Sequence, residues 1–167
     1  MKRAPLINRG YYIRVAAVRG QLRRMAEEWY PGRPTQVLSF GAGFDATYFH
    51  LSDHGGLPTK YVEVDFPELA SIKIRMMQQI PELAAHLEGG AVGRDGTLLK
   101  APKYGIAGCD LRRLEELPAL LEAAGLDLSL PTLCLAECVM CYMPPADSSA
   151  LIGARTSRDS IATVALC

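Results

Sequence analysis

Short apolar runs that end in glycine or in an acidic residue recur along this chain. The first run, residues 37–40, is followed at once by Gly41 and Gly43. Continuous apolar runs of this length are typical of strands buried in a parallel sheet. Three later runs have the same form, and each ends in a carboxylate: 60–65, 104–110 and 131–137. The pattern predicts four buried strands with glycines or acids at their carboxyl ends.

Apolar spacing, proline and glycine positions indicate helices between and beside these runs. We predict them at 11–29, 45–51, 67–80, 114–121 and 146–157. In the first helix, Tyr11, Tyr12 and Trp29 are expected to pack in the core.

A last apolar run at 161–167 predicts a fifth strand, whereas the glycine-rich segment 88–103 is predicted to be a loop. Strands that alternate with helices form parallel crossovers. The sequence therefore predicts one α/β domain over residues 1–167, with a Rossmann-like, doubly wound, mostly parallel sheet.

The composition is that of a globular protein without a charge bias. Apolar residues make up 49% of the 167 residues, and 18 Lys and Arg balance 18 Asp and Glu. A neutral chain has no global electrostatic attraction for nucleic acid. No apolar run reaches the roughly 18 residues that a membrane span needs, and no apolar signal segment follows Met1. We therefore expect a cytoplasmic protein that does not enter a membrane.

Five cysteines lie scattered through apolar segments. An odd number in such positions is expected of reduced thiols rather than of a disulfide framework. Cys138 and Cys141 have the spacing of a redox or zinc motif, but no second cysteine or histidine pair accompanies them. We interpret these two residues as buried thiols and predict no metal site.

The glycine turn and the acid of the second strand indicate a nucleotide-type ligand. Glycine lets the backbone turn sharply and approach a ligand, and Asp65 lies near the roughly 20-residue offset at which an acid meets a ribose hydroxyl. The third glycine of the dinucleotide fingerprint is missing after Gly43. The pattern therefore favours S-adenosylmethionine over NAD, with a glycine turn in some other α/β domain as the alternative.

Three acids share the predicted edge with Gly41 and Gly43. They are Asp65, Asp110 and Glu137, each at the carboxyl end of its strand. Ligands of open α/β sheets bind at this edge. We predict one shared ligand site there.

Five stretches, at 3–14, 41–45, 60–67, 108–112 and 130–143, together resemble the leucine carboxyl methyltransferases. That family uses S-adenosylmethionine to methylate the C-terminal leucine carboxylate of the protein phosphatase 2A catalytic subunit. The resemblance extends to about residue 152. The family also has an upstream segment and a large part after the fifth strand. The resemblance therefore predicts a class I methyltransferase fold that is incomplete at the C-terminus and also at the N-terminus.

The resemblance also implies roles for individual residues at the methionine and ribose end of the cofactor. Arg14 matches the arginine that binds the cofactor carboxylate, a bidentate role that lysine fills poorly. Gly41 is expected under the methionine part, and Asp65 is expected to hold the ribose hydroxyls.

At the adenine end, the resemblance places Asp110 and Leu111 beside the base, with Asp110 accepting from its amino group. Glu137 is also expected at the cofactor, and Arg112 is a candidate partner for the incoming carboxylate. A leucine carboxylate has a pKa near ~3.5 and is already ionised at neutral pH. We therefore predict no catalytic base.

Two alternatives remain open. The sister branch of wybutosine-synthesis methyltransferases shares the motifs at 3–7 and 41–45 and methylates a carboxylate on a modified guanosine of phenylalanine tRNA. The segments at 7–10, 57–61 and 136–139 resemble the phosphatase branch more. The second alternative is an inactive fragment that keeps the motifs but not the activity.

Overall fold

A computed structural model of the chain describes residues 5–56, 58–153 and 161–166. Its centre is a sheet of seven strands: β1 (Gln36–Phe40), β2 (Lys60–Asp65), β3 (Ala91–Val92), β4 (Leu98–Lys100), β5 (Tyr104–Gly108), β6 (Thr132–Glu137) and β7 (Ile161–Leu166). Their order across the sheet is β3-β4-β5-β2-β1-β6-β7. Five neighbouring strands pair in parallel, in the order β5, β2, β1, β6 and β7. This confirms the predicted mostly parallel α/β sheet.

Strand β1 is the point at which the sheet reverses its direction of growth. The chain adds β2 and then β5 on one side of β1, and it later places β6 and β7 on the other. Phe40, the last residue of β1, pairs with Val64 of β2 and with Ala136 of β6. The next residue of each strand therefore lies at one edge of the sheet: Gly41, Asp65 and Glu137. The crevice at such a reversal is where open α/β sheets bind ligands.

The prediction of a loop at 88–103 is wrong. This segment forms an antiparallel hairpin of β3 and β4, and β4 continues antiparallel onto β5. Leu99 anchors the hairpin because its side chain is buried in the core. Strands of two and three residues are too short to show a period in the sequence.

Six α-helices flank the strands within the described residues: α1 (Pro5–Arg24), α2 (Thr47–His54), α3 (Pro67–Gln79), α4 (Pro81–Ala84), α5 (Leu117–Ala123) and α6 (Pro145–Gly153). Helix α1 begins well before its predicted start and continues into a π-helical turn over Met25–Trp29. Helix α3 begins at Pro67, as predicted, because proline suits the first helical turn. The predicted extension of α6 to residue 157 lies outside the described residues, as does Cys167.

Two apolar cores cover the two faces of the sheet. Side chains of successive strand residues point to opposite faces, so Val37 packs with Leu22 and Ile74 from α1 and α3. On the other face, Leu38 packs with Leu121 from α5. The sheet is thus covered by helices on both sides, as a doubly wound fold requires.

Helix α1 is buried only in its second half. Val18 and Leu22 are buried, whereas Tyr12 is 74% exposed and Tyr11 and Trp29 are also exposed. The prediction that these three aromatic residues pack in the core is therefore wrong. Among the described residues, no helix combines the length and apolarity needed to cross a membrane.

Candidate functional site

The glycine turn after β1 is built tightly against the turn after β6. Gly41 has a φ of +59°, and its amide donates a hydrogen bond to the Val64 carbonyl at 2.8 Å. A Cβ at this position would lie 2.5 Å from Cγ2 of Val139. Only glycine fits here, because any side chain would meet both the unfavourable φ and the Val139 side chain.

The carboxylate of Asp65 is fastened to this turn. Its Oδ2 accepts a hydrogen bond from the amide of Gly43 at 2.6 Å, and its Oδ1 accepts one from the amide of Phe66 at 2.8 Å. A carboxylate has about four acceptor positions. Asp65 therefore retains acceptor capacity toward the neighbouring cleft while its orientation is fixed by backbone donors.

A cleft of about 280 Å³ opens at the carboxyl ends of β1, β2 and β5. Five of the predicted site residues line it: Gly41, Asp65, Asp110, Leu111 and Arg112. Its apolar wall comes from residues that the sequence analysis did not assign: Phe66, Leu69, Val139 and Met143. The cleft thus combines an apolar wall with two carboxylates, as expected for a flat base and a sugar.

A second hollow, of about 240 Å³, adjoins the first on the other side of the glycine turn. Arg14, Asp45 and Glu137 line this hollow, and Gly41 lines both. The structure therefore brings all seven predicted site residues to one edge of the sheet, but it divides them between two hollows that meet at Gly41.

Arg14 and Glu137 form an ion pair that joins α1 to the end of β6. The Nη1 of Arg14 also lies 3.6 Å from Sγ of Cys138, and its guanidinium stacks over the Tyr11 ring at 4.9 Å. Arg14 is half-exposed and Glu137 is mostly covered. Two residues that were predicted to contact the cofactor independently are therefore partners of each other.

Asp110 and Arg112 form a second pair of this kind. The Nε of Arg112 donates to both carboxylate oxygens of Asp110, at 2.9 and 3.0 Å, and its Nη2 donates to Oδ2 at 2.5 Å. These hydrogen bonds hold the pKa of Asp110 at about 2, well below its usual 3.8. Asp110 is therefore ionised at neutral pH, and Arg112 donates to both of its oxygens at the rim of the cleft.

The turn after β6 contains two features that the sequence analysis missed. Cys138 has a φ of +52°, and among the described residues it is the one non-glycine residue with a positive φ. Strain of this sort clusters at functional sites, but side-chain type alone does not reveal it. Val139, which follows, fills the space against Gly41.

The interpretation of Cys138 and Cys141 as buried thiols is wrong for Cys141, which is exposed, while Cys138 is half-buried. In the described part of the chain, no group of three or more His, Cys, Asp or Glu side chains is arranged to hold a metal ion.

The comparison with protein-family models identifies the chain. The model that matches is that of leucine carboxyl methyltransferase, over residues 1–156. The chain belongs to the leucine carboxyl methyltransferase family. The resemblance seen in the motifs is thereby confirmed over nearly the whole chain.

Curated relatives fall into two groups. Human tRNA wybutosine-synthesizing protein 4 is 43% identical over 159 residues, covering 90% of this chain and 23% of that protein. The Arabidopsis thaliana leucine carboxyl methyltransferase 1 homolog is 39% identical over 155 residues, covering 91% of this chain and 46% of that protein. Bovine leucine carboxyl methyltransferase 1 is 38% identical over 156 residues, with 90% and 46% covered. The chain thus spans less than half the length of these relatives.

A solved structure agrees with the fold. A Thermobifida fusca protein, provisionally described as a methyltransferase, superposes with a TM-score of 0.57 at 17% identity, covering 92% of this chain and 50% of that chain. At this identity the likeness supports the fold only. Together with the family match, it makes this chain a member of a methyltransferase family with an α/β methyltransferase fold.

Proposed function

We propose that this chain binds S-adenosylmethionine at the edge described above and transfers its methyl group to the C-terminal leucine carboxylate of the protein phosphatase 2A catalytic subunit. The observation that carries the proposal is the pair of hollows that meet at Gly41. One contains the acids suited to a nucleoside, and the other contains the Arg14–Glu137 ion pair, suited to an amino acid, beside Asp45.

The residues present fit this cofactor in polarity and order. The apolar wall at Phe66 and Leu111 suits the adenine base. The adenine amino group would replace one of the hydrogen bonds that Arg112 donates to the ionised Asp110. Asp65 retains acceptor positions for the ribose hydroxyls. Gly41 lines both hollows, so the two lie next to each other along the end of the sheet, in the order that an elongated ligand requires.

The ion pair of Arg14 and Glu137 would bind the amino-acid end of the cofactor. That end carries a carboxylate and an ammonium, which are the counterparts of a guanidinium and a carboxylate. On binding, the Arg14–Glu137 contact would be replaced by two contacts, one between Arg14 and the cofactor carboxylate and one between Glu137 and the cofactor ammonium. Each charged side chain would then keep a partner, so neither is left as an unpaired charge in a covered site.

When bound, the cofactor supplies an electrophilic methyl group on its sulfonium. A leucine carboxylate, ionised at neutral pH, would be the nucleophile: its O–CH₃ bond would form as the S–CH₃ bond breaks, with the electron pair left on the sulfur of S-adenosylhomocysteine. The chain's residues then need to hold the reactants in line and exclude water, and no side chain has to accept a proton.

Methyl transfer to a synthetic phosphatase-tail peptide tests the function directly. We expect label from [methyl-³H]S-adenosylmethionine to enter a peptide that ends in a free leucine carboxylate, and the product to release methanol in mild base. The same peptide with a C-terminal amide is the matched control and should take no label. Equal labelling of both peptides would contradict carboxylate transfer.

One observation favours a second candidate function. The identity to human tRNA wybutosine-synthesizing protein 4 is 43%, against 39% to the Arabidopsis thaliana leucine carboxyl methyltransferase 1 homolog. If tRNA is the substrate, the chain should bind it with an affinity that falls steeply with salt. A salt series with tRNA and with the leucine peptide separates the two functions, and the chain's balanced charge leads us to expect weak tRNA binding.

A further inference from the structure

A buried charged residue lies in the middle of strand β2. Glu63 is 2% exposed, although its neighbours on the strand are apolar core residues. A carboxylate in such a position is costly unless another group compensates its charge. Burial raises the pKa of Glu63, and the ammonium of Lys73 and the hydroxyl of Tyr104 offset this in part.

Lys73 of α3 reaches from the helix to this carboxylate. Its Nζ donates to Oε2 of Glu63 at 2.5 Å, and Lys73 is itself only 6% exposed. The same Nζ donates a second hydrogen bond, at 2.9 Å, to the backbone carbonyl of Asp45. Lys73 therefore joins the centre of the sheet to the end of the glycine turn.

The carbonyl of Asp45 belongs to the segment that forms the candidate site. The amide of Asp45 donates to the Ala42 carbonyl at 2.9 Å, and its carboxylate accepts from the amide and hydroxyl of Thr47 at 3.2 and 3.1 Å. Between these contacts lies Gly43, whose amide fixes Asp65. Asp45 is thus the point at which the glycine turn is fastened to the first turn of α2.

We propose that the buried pair of Lys73 and Glu63 positions the glycine turn for the cofactor, holding Asp45 so that Gly43 meets Asp65. Neither residue touches either hollow, so both act through the turn rather than on the ligand. Replacing a buried ion pair by apolar groups is often neutral for stability. Stability alone therefore does not explain why a charged pair lies here. Its hydrogen bond to the Asp45 carbonyl gives it a second role, which is to hold the glycine turn in place.

A second buried lysine offers a matched control. Lys60 lies at the opposite end of β2 and is also 6% exposed. Its Nζ donates to the backbone carbonyls of Ala101 and Tyr104, at 2.6 and 3.2 Å. Removing Lys60 therefore perturbs the same strand by a similar chemical change, but without a contact to the glycine turn.

The test uses Lys73→Met/Glu63→Gln, which leaves no unpaired buried charge, together with Lys60→Met. S-adenosylhomocysteine affinity is measured by calorimetry at a temperature where every variant is folded. Hydrogen exchange of the Gly43 amide is measured by NMR without ligand. For the double variant we expect a Kd raised about 10- to 100-fold, since misplacement by about 1 Å carries losses of that order. We also expect the Gly43 amide to exchange faster, while the amides inside β1 exchange as in the wild type. Lys60→Met should leave both unchanged.

Conservative variants extend the test. Glu63→Gln alone keeps an acceptor for Lys73 but leaves its buried ammonium without a counter-ion, so it should be less stable than the double variant. Because Lys73 can still donate to the Asp45 carbonyl, Gly43 exchange should stay nearer to wild type than in the double variant. If the double variant does not fold, Lys73→Gln/Glu63→Gln replaces it. This variant also leaves no unpaired buried charge, and the shorter side chain at position 73 does not span the distance to both Glu63 and Asp45, so we expect the same changes. Wild-type Gly43 exchange in the Lys73 variants, or equal losses of affinity in the Lys60 and Lys73 variants, would overturn the proposal.

This inference rests on the proposed cofactor, but the two can fail separately. If wild-type protein does not bind S-adenosylhomocysteine, the proposed function fails. The Gly43 exchange measurement, made without ligand, still decides whether Lys73 and Glu63 hold the turn.

Discussion

The carboxylate of Asp65 accepts a hydrogen bond from the amide of Gly43 at 2.6 Å, across 22 residues of chain. This contact fastens the turn after β1 to the end of β2 and orients the acid at the cleft. It makes the glycine turn and the acid one structural unit.

Asp65→Ala should abolish measurable binding of S-adenosylhomocysteine. It removes the carboxylate that would accept hydrogen bonds from the ribose hydroxyls, and it also removes the contact that holds the Gly43 amide. Loss of one charged hydrogen bond together with misplacement of the turn corresponds to at least about a 100-fold rise in Kd. Calorimetric titration measures it. Asp95→Ala, an exposed acid in the β3–β4 turn that accepts from the Thr97 amide, is the control and should bind as wild type. Unchanged binding by Asp65→Ala would exclude Asp65 from the site.

Alanine at the two glycines of the turn should have unequal effects on the free energy of unfolding. Both have a positive φ, which costs alanine roughly 1–2 kcal/mol. A Cβ at Gly41 also lies 2.5 Å from Val139, whereas a Cβ at Gly43 has nothing within 4 Å. Urea unfolding should show Gly41→Ala to be the more destabilised variant. The double variant Gly41→Ala/Val139→Ala should recover part of the stability that Gly41→Ala loses relative to Gly43→Ala. If it recovers none, the close contact between position 41 and Val139 is not the cause of the loss.

Arg112→Ala should raise the pKa of Asp110 from about 2 part of the way toward its usual 3.8, because the side-chain hydrogen bonds from Arg112 are lost while the backbone amide at position 112 still donates to Oδ1. A carboxyl with a lowered pKa in the folded state stabilises the fold above its unfolded pKa. That contribution is lost as the pH falls from about 4 to about 2. Side-chain ¹³C NMR titration of Asp110 measures the shift. An Asp110 pKa unchanged in Arg112→Ala would show that the pair does not persist in solution.

Lys60 should make the fold more stable in mild alkali. Burial, with a contribution from Lys100, lowers the pKa of Lys60 from 10.5 to about 8. Between these values the unfolded chain binds a proton that the folded chain does not, so the free energy of unfolding rises with pH. Relative to Lys60→Met, the wild type should gain about 1–3 kcal/mol between pH 7.5 and 10 in urea unfolding. A pH-independent difference between the two proteins would contradict this.

The edge of the sheet could be predicted because register follows from the strands themselves. Once β1, β2 and β6 are recognised as buried parallel strands, Gly41, Asp65 and Glu137 have to lie together. The β3–β4 hairpin could not be found in this way, since its strands are shorter than one detectable period.

The sequence pattern does not predict which side chains contact each other. Arg14 meets Glu137 only after α1 folds over the end of β6, and nothing in the local sequence of either residue specifies the other. The exposed tyrosines of α1 show a similar limit: a helical period identifies a face of the helix, but not whether another element covers that face.

Titration of the purified chain with S-adenosylhomocysteine decides whether the two hollows meeting at Gly41 form one cofactor site. We expect saturable, one-to-one binding with a micromolar Kd, together with protection of the Gly43 amide and a shift in the Asp65 side-chain resonance. A cooperatively folded chain that binds neither S-adenosylhomocysteine nor S-adenosylmethionine would contradict the proposed site.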